Sequence, residues 1–189
     1  YNYVNSYWQG KEGERYVRDE LECLIKKDYE IINDVPGNKF NVDFILIGPG
    51  GVYVIEVKNP TKTKDAKIVY QDGMLYVGPK DMDSKSDAFK KFRRALNKPN
   101  PLEQVRMTTE WVRRLLESNG RKKVQAIKPV VLFPKFWVEN YLGDIWVMNS
   151  KSFALEIPHR AGNLTTQEIS ELTAIVRAHI KATIMSEED

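Results

Sequence analysis

Val42-Asp43-Phe44-Ile45-Leu46-Ile47-Gly48-Pro49-Gly50-Gly51-Val52-Tyr53-Val54-Ile55-Glu56-Val57-Lys58-Asn59 is the stretch on which the fold turns. Two runs of β-branched and aromatic residues, joined by Gly-Pro-Gly-Gly, predict an antiparallel hairpin with strands over 41–47 and 52–58. Strict alternation puts Val42, Phe44, Leu46, Tyr53, Ile55 and Val57 on one face and Ile45, Ile47, Val52 and Val54 on the other. Neither face is wet, so the hairpin belongs in the middle of a sheet covered on both sides. With the turn centred on Pro49-Gly50, Ile47 lies opposite Val52 and Asp43 opposite Glu56. Lys58, two residues on, points to the same side as Glu56.

Carboxylates facing each other at ~5 Å repel, and burial beside Ile and Val adds desolvation, so one of them should hold a proton. A divalent cation between them removes both penalties. Hard cations such as Mg2+ take one or two carboxylates, keep waters and recruit phosphate oxygens. A lysine beside them could orient or deprotonate an attacking water, or meet charge developing on a phosphate. The plainer alternative is a structural ion cluster in which Lys58 alone neutralises both acids.

Outward from the hairpin, a first helix is predicted over 10–27, with the apolar stripe Val17, Leu21, Leu24 and Ile25; Cys23 lies off it. One step back along the stripe stands Glu14, at the buried edge of the first turn. A short strand over 29–33 and the turn Pro36-Gly37-Asn38 follow. Asp72-Gly73 predicts a second hairpin, with strands over 66–71 and 74–77. Residues 78–98 are polar and basic, expected as a loop with some helix within 83–96. Asn100-Pro101-Leu102-Glu103 starts a helix running to about 119, on which Gln104, Thr108, Trp111 and Leu115 share a face. Strands are expected at 127–133, 144–148 and 153–157, and Thr165-Thr166-Gln167-Glu168 caps a last helix to about 185. His179 falls on that helix's apolar side with Leu172, Ile175 and Val176, as a core histidine, while His159 lies in a loop. The order argues α/β or α+β, with a mixed central sheet flanked by helices.

At 189 residues, 42% hydrophobic and 29% charged, the chain has the size and balance of one globular domain spanning 1–189. Within it we expect a core over about 10–133, a basic insertion over about 61–98, and C-terminal strands and a helix over about 144–185. No apolar run approaches the ~20 residues of a membrane span. One cysteine and two histidines exclude a disulfide framework and a structural zinc site. The net charge of +3 permits nucleic acid as a partner without demanding it. Two basic clusters stand out: Lys80 to Lys98, with seven Lys/Arg against three Asp, and Arg113, Arg114, Arg121, Lys122 and Lys123. The chain opens on Tyr1 rather than Met, which reads as an excised or processed piece. Tyr1, Tyr3, Tyr7 and Trp8 are expected to pack as an N-terminal arm. The expected location is cytoplasmic, with anchorage to a membrane through a preceding segment as the other reading.

Gly10-x-x-Gly13-Glu14, the hairpin quoted above, and Asn100-Pro101-x-x-Gln104 together resemble the successive motifs of the NERD (nuclease-related) domain, a family of the PD-(D/E)XK nuclease superfamily. The resemblance covers roughly 10–116, and its specificity lies in the ordered set. It implies a restriction-endonuclease-like αβββαβ core, with Asp43 and Glu56 as metal ligands, Lys58 as the catalytic lysine, and Glu14 and Gln104 as auxiliary site residues. Val42 stands where the superfamily name has Pro, without mechanistic consequence.

The expectation is therefore a DNA endonuclease that hydrolyses phosphodiester bonds with Mg2+ or Mn2+. Lys85, Lys90, Lys91, Arg93 and Arg94 are read as a basic flap tracking the phosphate backbone. The rival readings are a catalytically silent DNA-binding or tethering module of a larger protein, and a purely structural interaction domain. Oligomeric state, including a homodimer, is left open by the sequence.

Overall fold

The computed structural model describes residues 2–61, 65–96, 99–118, 124, 127–160, 162 and 164–187, with the side chains of 2–8 and 187 outside the description. Tyr1, the side chains of the other N-terminal aromatics, Lys98 and the basic run 121–123 therefore lie outside the description.

Helix α1 (Asn2–Leu21) leads through a 3-10 segment (Glu22–Lys27) into strands β1 (Glu30–Pro36), β2 (Asn41–Gly48) and β3 (Gly51–Val57). The second hairpin, β4 (Ala66–Gln71) and β5 (Met74–Pro79), is followed by α2 (Asp87–Phe92), β6 (Arg94–Ala95) and α3 (Pro101–Glu117). Then come β7 (Ile127–Leu132), β8 (Trp137–Val138), β9 (Tyr141–Leu142), β10 (Trp146–Met148), α4 (Ser150–Glu156), a 3-10 turn (Ile157–His159) and α5 (Thr166–Glu187). The main sheet is mixed and six-stranded, in the order β1-β2-β3-β7-β10-β9. Within it β7 runs parallel to both β3 and β10.

The hairpin that decided the fold sits where its two apolar faces require. Phe44, Leu46, Tyr53 and Ile55 pack beneath Val17 and Leu21 of α1 and Phe153 of α4. Ile45, Ile47, Val52 and Val54 pack beneath Val112 and Leu116 of α3 and Leu172 and Val176 of α5. The register is the expected one, with Ile47 opposite Val52 and Phe44 opposite Ile55. Both capping predictions match the local hydrogen bonds. Asn100 accepts from the Leu102 amide, and Thr165 and Glu168 exchange reciprocal bonds in a capping box. Asp72 (φ 50) and Gly73 (φ 77) are both left-handed, as a type I′ turn demands.

Several expectations are corrected. The first helix starts at Asn2 rather than 10, running through Gly10 and Gly13, and tightens to 3-10 geometry after Leu21. That tightening adds rotation per residue, so Ile25 is turned out to solvent and Leu24 alone continues the buried stripe. The buried stripe of α3 is Leu102, Val105, Thr109, Val112 and Leu116 with Thr108, which leaves Gln104 at its margin. Segment 153–157 is helical: Asn149 caps α4, and Phe153, Ala154 and Ile157 bury a helical face while Leu155 is exposed. The segment 83–96 is helical only over α2, where Ser86 accepts from the Phe89 amide and Phe89 is buried.

The insertion is also more ordered than a flap. With β8 it forms a second sheet, in the order β6-β5-β4-β8. Lys67 ties that sheet together from the inside. Its ammonium lies 2.6 Å from Glu139 Oε1 and donates to the Met82 carbonyl, while Glu139 Oε2 accepts from Ser84. His179 fits the core reading: its ring bonds to the Pro36 carbonyl at 2.7 Å and packs edge-on to Trp111. Among the described residues no helix is long and apolar enough to cross a membrane.

Candidate active site

Beyond Phe44 and Ile55 the ladder between β2 and β3 stops, and the side chain of Asp43 takes its place. The Val57 amide donates to Asp43 Oδ2 at 2.7 Å. On the other side of β2, pairing with β1 skips Asp34, which adopts φ 52 between the pairs Asn33–Phe44 and Val35–Val42. Alternation breaks there. Val42, expected beside Phe44, instead packs with Val35 and Ile45 on the opposite face. Asp43 is the residue at the crossover, so its carboxylate reaches across to β3.

Glu56 registers with Val131 of β7, and Val131 packs with Leu102 and Val105 of α3. Glu56 is 7% exposed, and Lys58 Nζ lies 2.6 Å from its Oε1. The Lys58 amide donates to the Leu132 carbonyl at 2.9 Å, which anchors the lysine at the carboxyl end of β7. Burial, and then the facing Glu56 carboxylate, push the Asp43 carboxyl up to about 8, against the opposing pull of the Val57 hydrogen bond. Glu14 pushes the same way and Lys58 in the other. Asp43, Glu56, Lys58 and Glu14 thus share one electrostatic neighbourhood.

Glu14 reaches this neighbourhood from α1, which approaches closely because residue 13 is glycine. A Cβ there would stand 2.7 Å from the Cβ of Asn59, whose amide donates to the Gln9 carbonyl. Lys11 bridges Glu14 (2.9 Å) and Asp34 (3.1 Å), and the bond to Glu14 holds its ammonium above the usual lysine range. Gln104 lies in the first turn of α3, with its Oε1 buried and lacking a hydrogen-bond partner among the described residues.

The expected basic flap is split in character. Lys85, Lys91 and Arg94 are exposed, and Lys90 pairs with Asp87 at 3.3 Å. Arg93 is built into the second sheet, lying 3.8 Å over the ring of Tyr76 and donating to Gln71. Lys11, Arg15 and Arg18, absent from the residues expected at the site, line a 180 Å³ cleft with Glu14, Asp34 and Phe44. Their i, i+4, i+7 spacing puts them on one face of α1, a signal that local charge density does not carry.

Among the described residues no group of three or more His, Cys, Asp and Glu gathers around one point. Two carboxylates, one carrying a proton it would release to an ion, suit a hard cation that completes its shell with waters and substrate oxygens. A structural zinc site would need four protein ligands.

The family model for the nuclease-related domain, NERD, matches residues 9–134. The chain belongs to the NERD family. The match runs from within α1 to just past β7 and so contains the hairpin, Glu14 and Gln104. An uncharacterized protein of Bacillus anthracis is 37% identical to this NERD chain over 57 residues, covering 28% of the chain and 27% of the relative. No solved structure matches it.

Proposed function

We propose that this NERD domain is a divalent-metal-dependent DNA endonuclease that hydrolyses phosphodiester bonds. The observation that carries the proposal is the Asp43–Glu56 pair, kept within repulsive reach of each other where the β2–β3 ladder ends, although burial and that repulsion load Asp43 with a proton. Evolved cores avoid such a pair unless something compensates it, and stability given up at a site points to function. Asp43 and Glu56 would hold Mg2+ or Mn2+. Bound there, the ion would supply Lewis-acid polarisation of a phosphoryl oxygen and a water of lowered pKa.

The remaining roles fall to the chain's own groups. The Val57 amide fixes the Asp43 carboxylate. Lys58, held against Glu56, places its ammonium to orient the attacking water and to meet negative charge developing on the phosphate. Glu14 and Gln104, whose Oε1 is buried, would serve as auxiliary residues of the site, and Lys85, Lys91 and Arg94 would add salt-sensitive contacts to the DNA backbone. The test is nicking of supercoiled plasmid in Mg2+ or Mn2+ at low salt. Activity should vanish with EDTA and in Glu56→Ala. Activity that survives either would refute the proposal, and DNA binding with no cleavage in any metal would establish the silent binding module instead.

A further inference from the structure

The carboxyl ends of β3, β7 and β10, which run parallel, open on one edge of the main sheet. Ligands of sheets with parallel strands gather at such ends. Lys58 follows β3 there, and its amide is bonded to Leu132, the last residue of β7. Three residues further on, Lys135 enters a 670 Å³ groove that is walled by Tyr16 of α1, Lys80 after β5, Trp137 of β8 and Lys151 of α4. The groove is therefore reached three residues along the chain from the Leu132 carbonyl that holds the Lys58 amide.

Its lining is unusual for idle surface. Tyr16 is 41% exposed and Trp137 50%, in a wall that carries three lysines. Lys135 is held in place rather than trailing in solvent, with its ammonium 2.7 Å from Glu12 and 4.9 Å from the centre of the Tyr16 ring. Two acids also line the groove, Glu20 and Asp65, and Glu20 is occupied by the Ser150 hydroxyl. Exposed aromatic faces among cations are the recognition chemistry of single-stranded nucleic acid: bases stack on the rings while the cations follow the phosphates. A duplex keeps its bases stacked on each other and offers such rings nothing.

We propose that this groove is a subsite for single-stranded DNA, so that the substrate is DNA with an unpaired segment beside the bond to be cut. The inference rests on the nuclease reading for its connection to cleavage, but binding alone tests it. Anisotropy titrations of the full chain with fluorescein-labelled dT20 and with a 20-base-pair duplex, both in EDTA, separate the two. Trp137→Ala should weaken dT20 binding about 10-fold, the loss of one stacked base, and duplex binding less than 2-fold. Trp137→Phe, which keeps a ring in the same fold, should restore most of the difference. Equal weakening of both DNAs, an unchanged affinity for dT20, or no binding of dT20 by the unaltered chain would each overturn the subsite. Trp137-dependent dT20 binding without cleavage in any metal would leave the subsite standing and remove the nuclease reading alone.

Discussion

Asp43→Asn should make the protein more stable while destroying its capacity for a cation. In the folded chain the Asp43 carboxyl is raised from 3.8 to about 8, chiefly by burial and then by Glu56. Between those two values the folded state keeps a proton that the unfolded chain has released. The folded state then binds more protons than the unfolded one, so stability must fall as pH rises through this window. Below the lower value both states are protonated and there is no penalty. At pH 7, about three pH units above the ordinary value, the penalty reaches ~4 kcal/mol at 1.36 kcal/mol per unit. Asparagine carries no such burden, and its side-chain oxygen can still accept from the Val57 amide. We expect Asp43→Asn to gain ~2–4 kcal/mol at pH 8, roughly 4–16 °C in Tm for a domain of this size, and close to nothing at pH 4. Urea denaturation of both proteins in EDTA across that range measures the gap; titrating groups remote from Asp43 cancel in the difference, and relief of Glu56 from its charged neighbour adds to it in the same direction. Isothermal titration with Mn2+ should show binding lost in the variant. A gap that does not change with pH, or a variant less stable than the parent throughout, would refute the assignment of Asp43 as the strained acid.

Three further substitutions probe the approach of α1 and the inside of the second sheet. Gly13→Ala should destabilise by ~1–2 kcal/mol, because overpacking against Asn59 outweighs the helix propensity gained. Gly10→Ala, with open space around it, should stabilise by up to ~1 kcal/mol; urea midpoints for the pair that move in the same direction would contradict the close approach of α1. Lys67→Met should cost ~2–3 kcal/mol, since Glu139 and the Met82 carbonyl lose their shared donor inside the second sheet. Thermal denaturation showing no loss would mean that the 80–86 loop is held by other contacts.

Much of the molecule could be read from local chemistry. The β2–β3 hairpin, its register and its central place follow from two apolar faces and a Gly-Pro-Gly-Gly turn, and the helix starts at Asn100 and Thr165 follow from side chains that bond their own backbone. Where the expectation failed, a local signal was missed or a neighbouring strand intervened. Segment 153–157 holds the helix formers Ala154, Leu155 and Glu156 behind the Asn149 cap, and the resulting helical turn sets Phe153 and Ile157 against the hairpin face beside α1. Val42 changed faces because the left-handed Asp34 on the neighbouring strand broke the alternation, and a partner strand's geometry is invisible in single-strand periodicity.

By itself the sequence determined which residues oppose one another across the β2–β3 turn, because hairpin register depends only on turn length and on burying both faces. It therefore determined that two acids and a lysine would meet. Only the tertiary structure decided how they meet: Asp43 turned across to the Val57 amide where the ladder ends, Glu56 buried with Lys58 against it, and Glu14 delivered by a helix that approaches where glycine leaves room. The groove of Tyr16, Lys135 and Trp137 is likewise a product of assembly. It joins residues from α1, the turn after β7, and β8, and contacts between segments so far apart in the chain are set by packing, on which local sequence pattern carries no information.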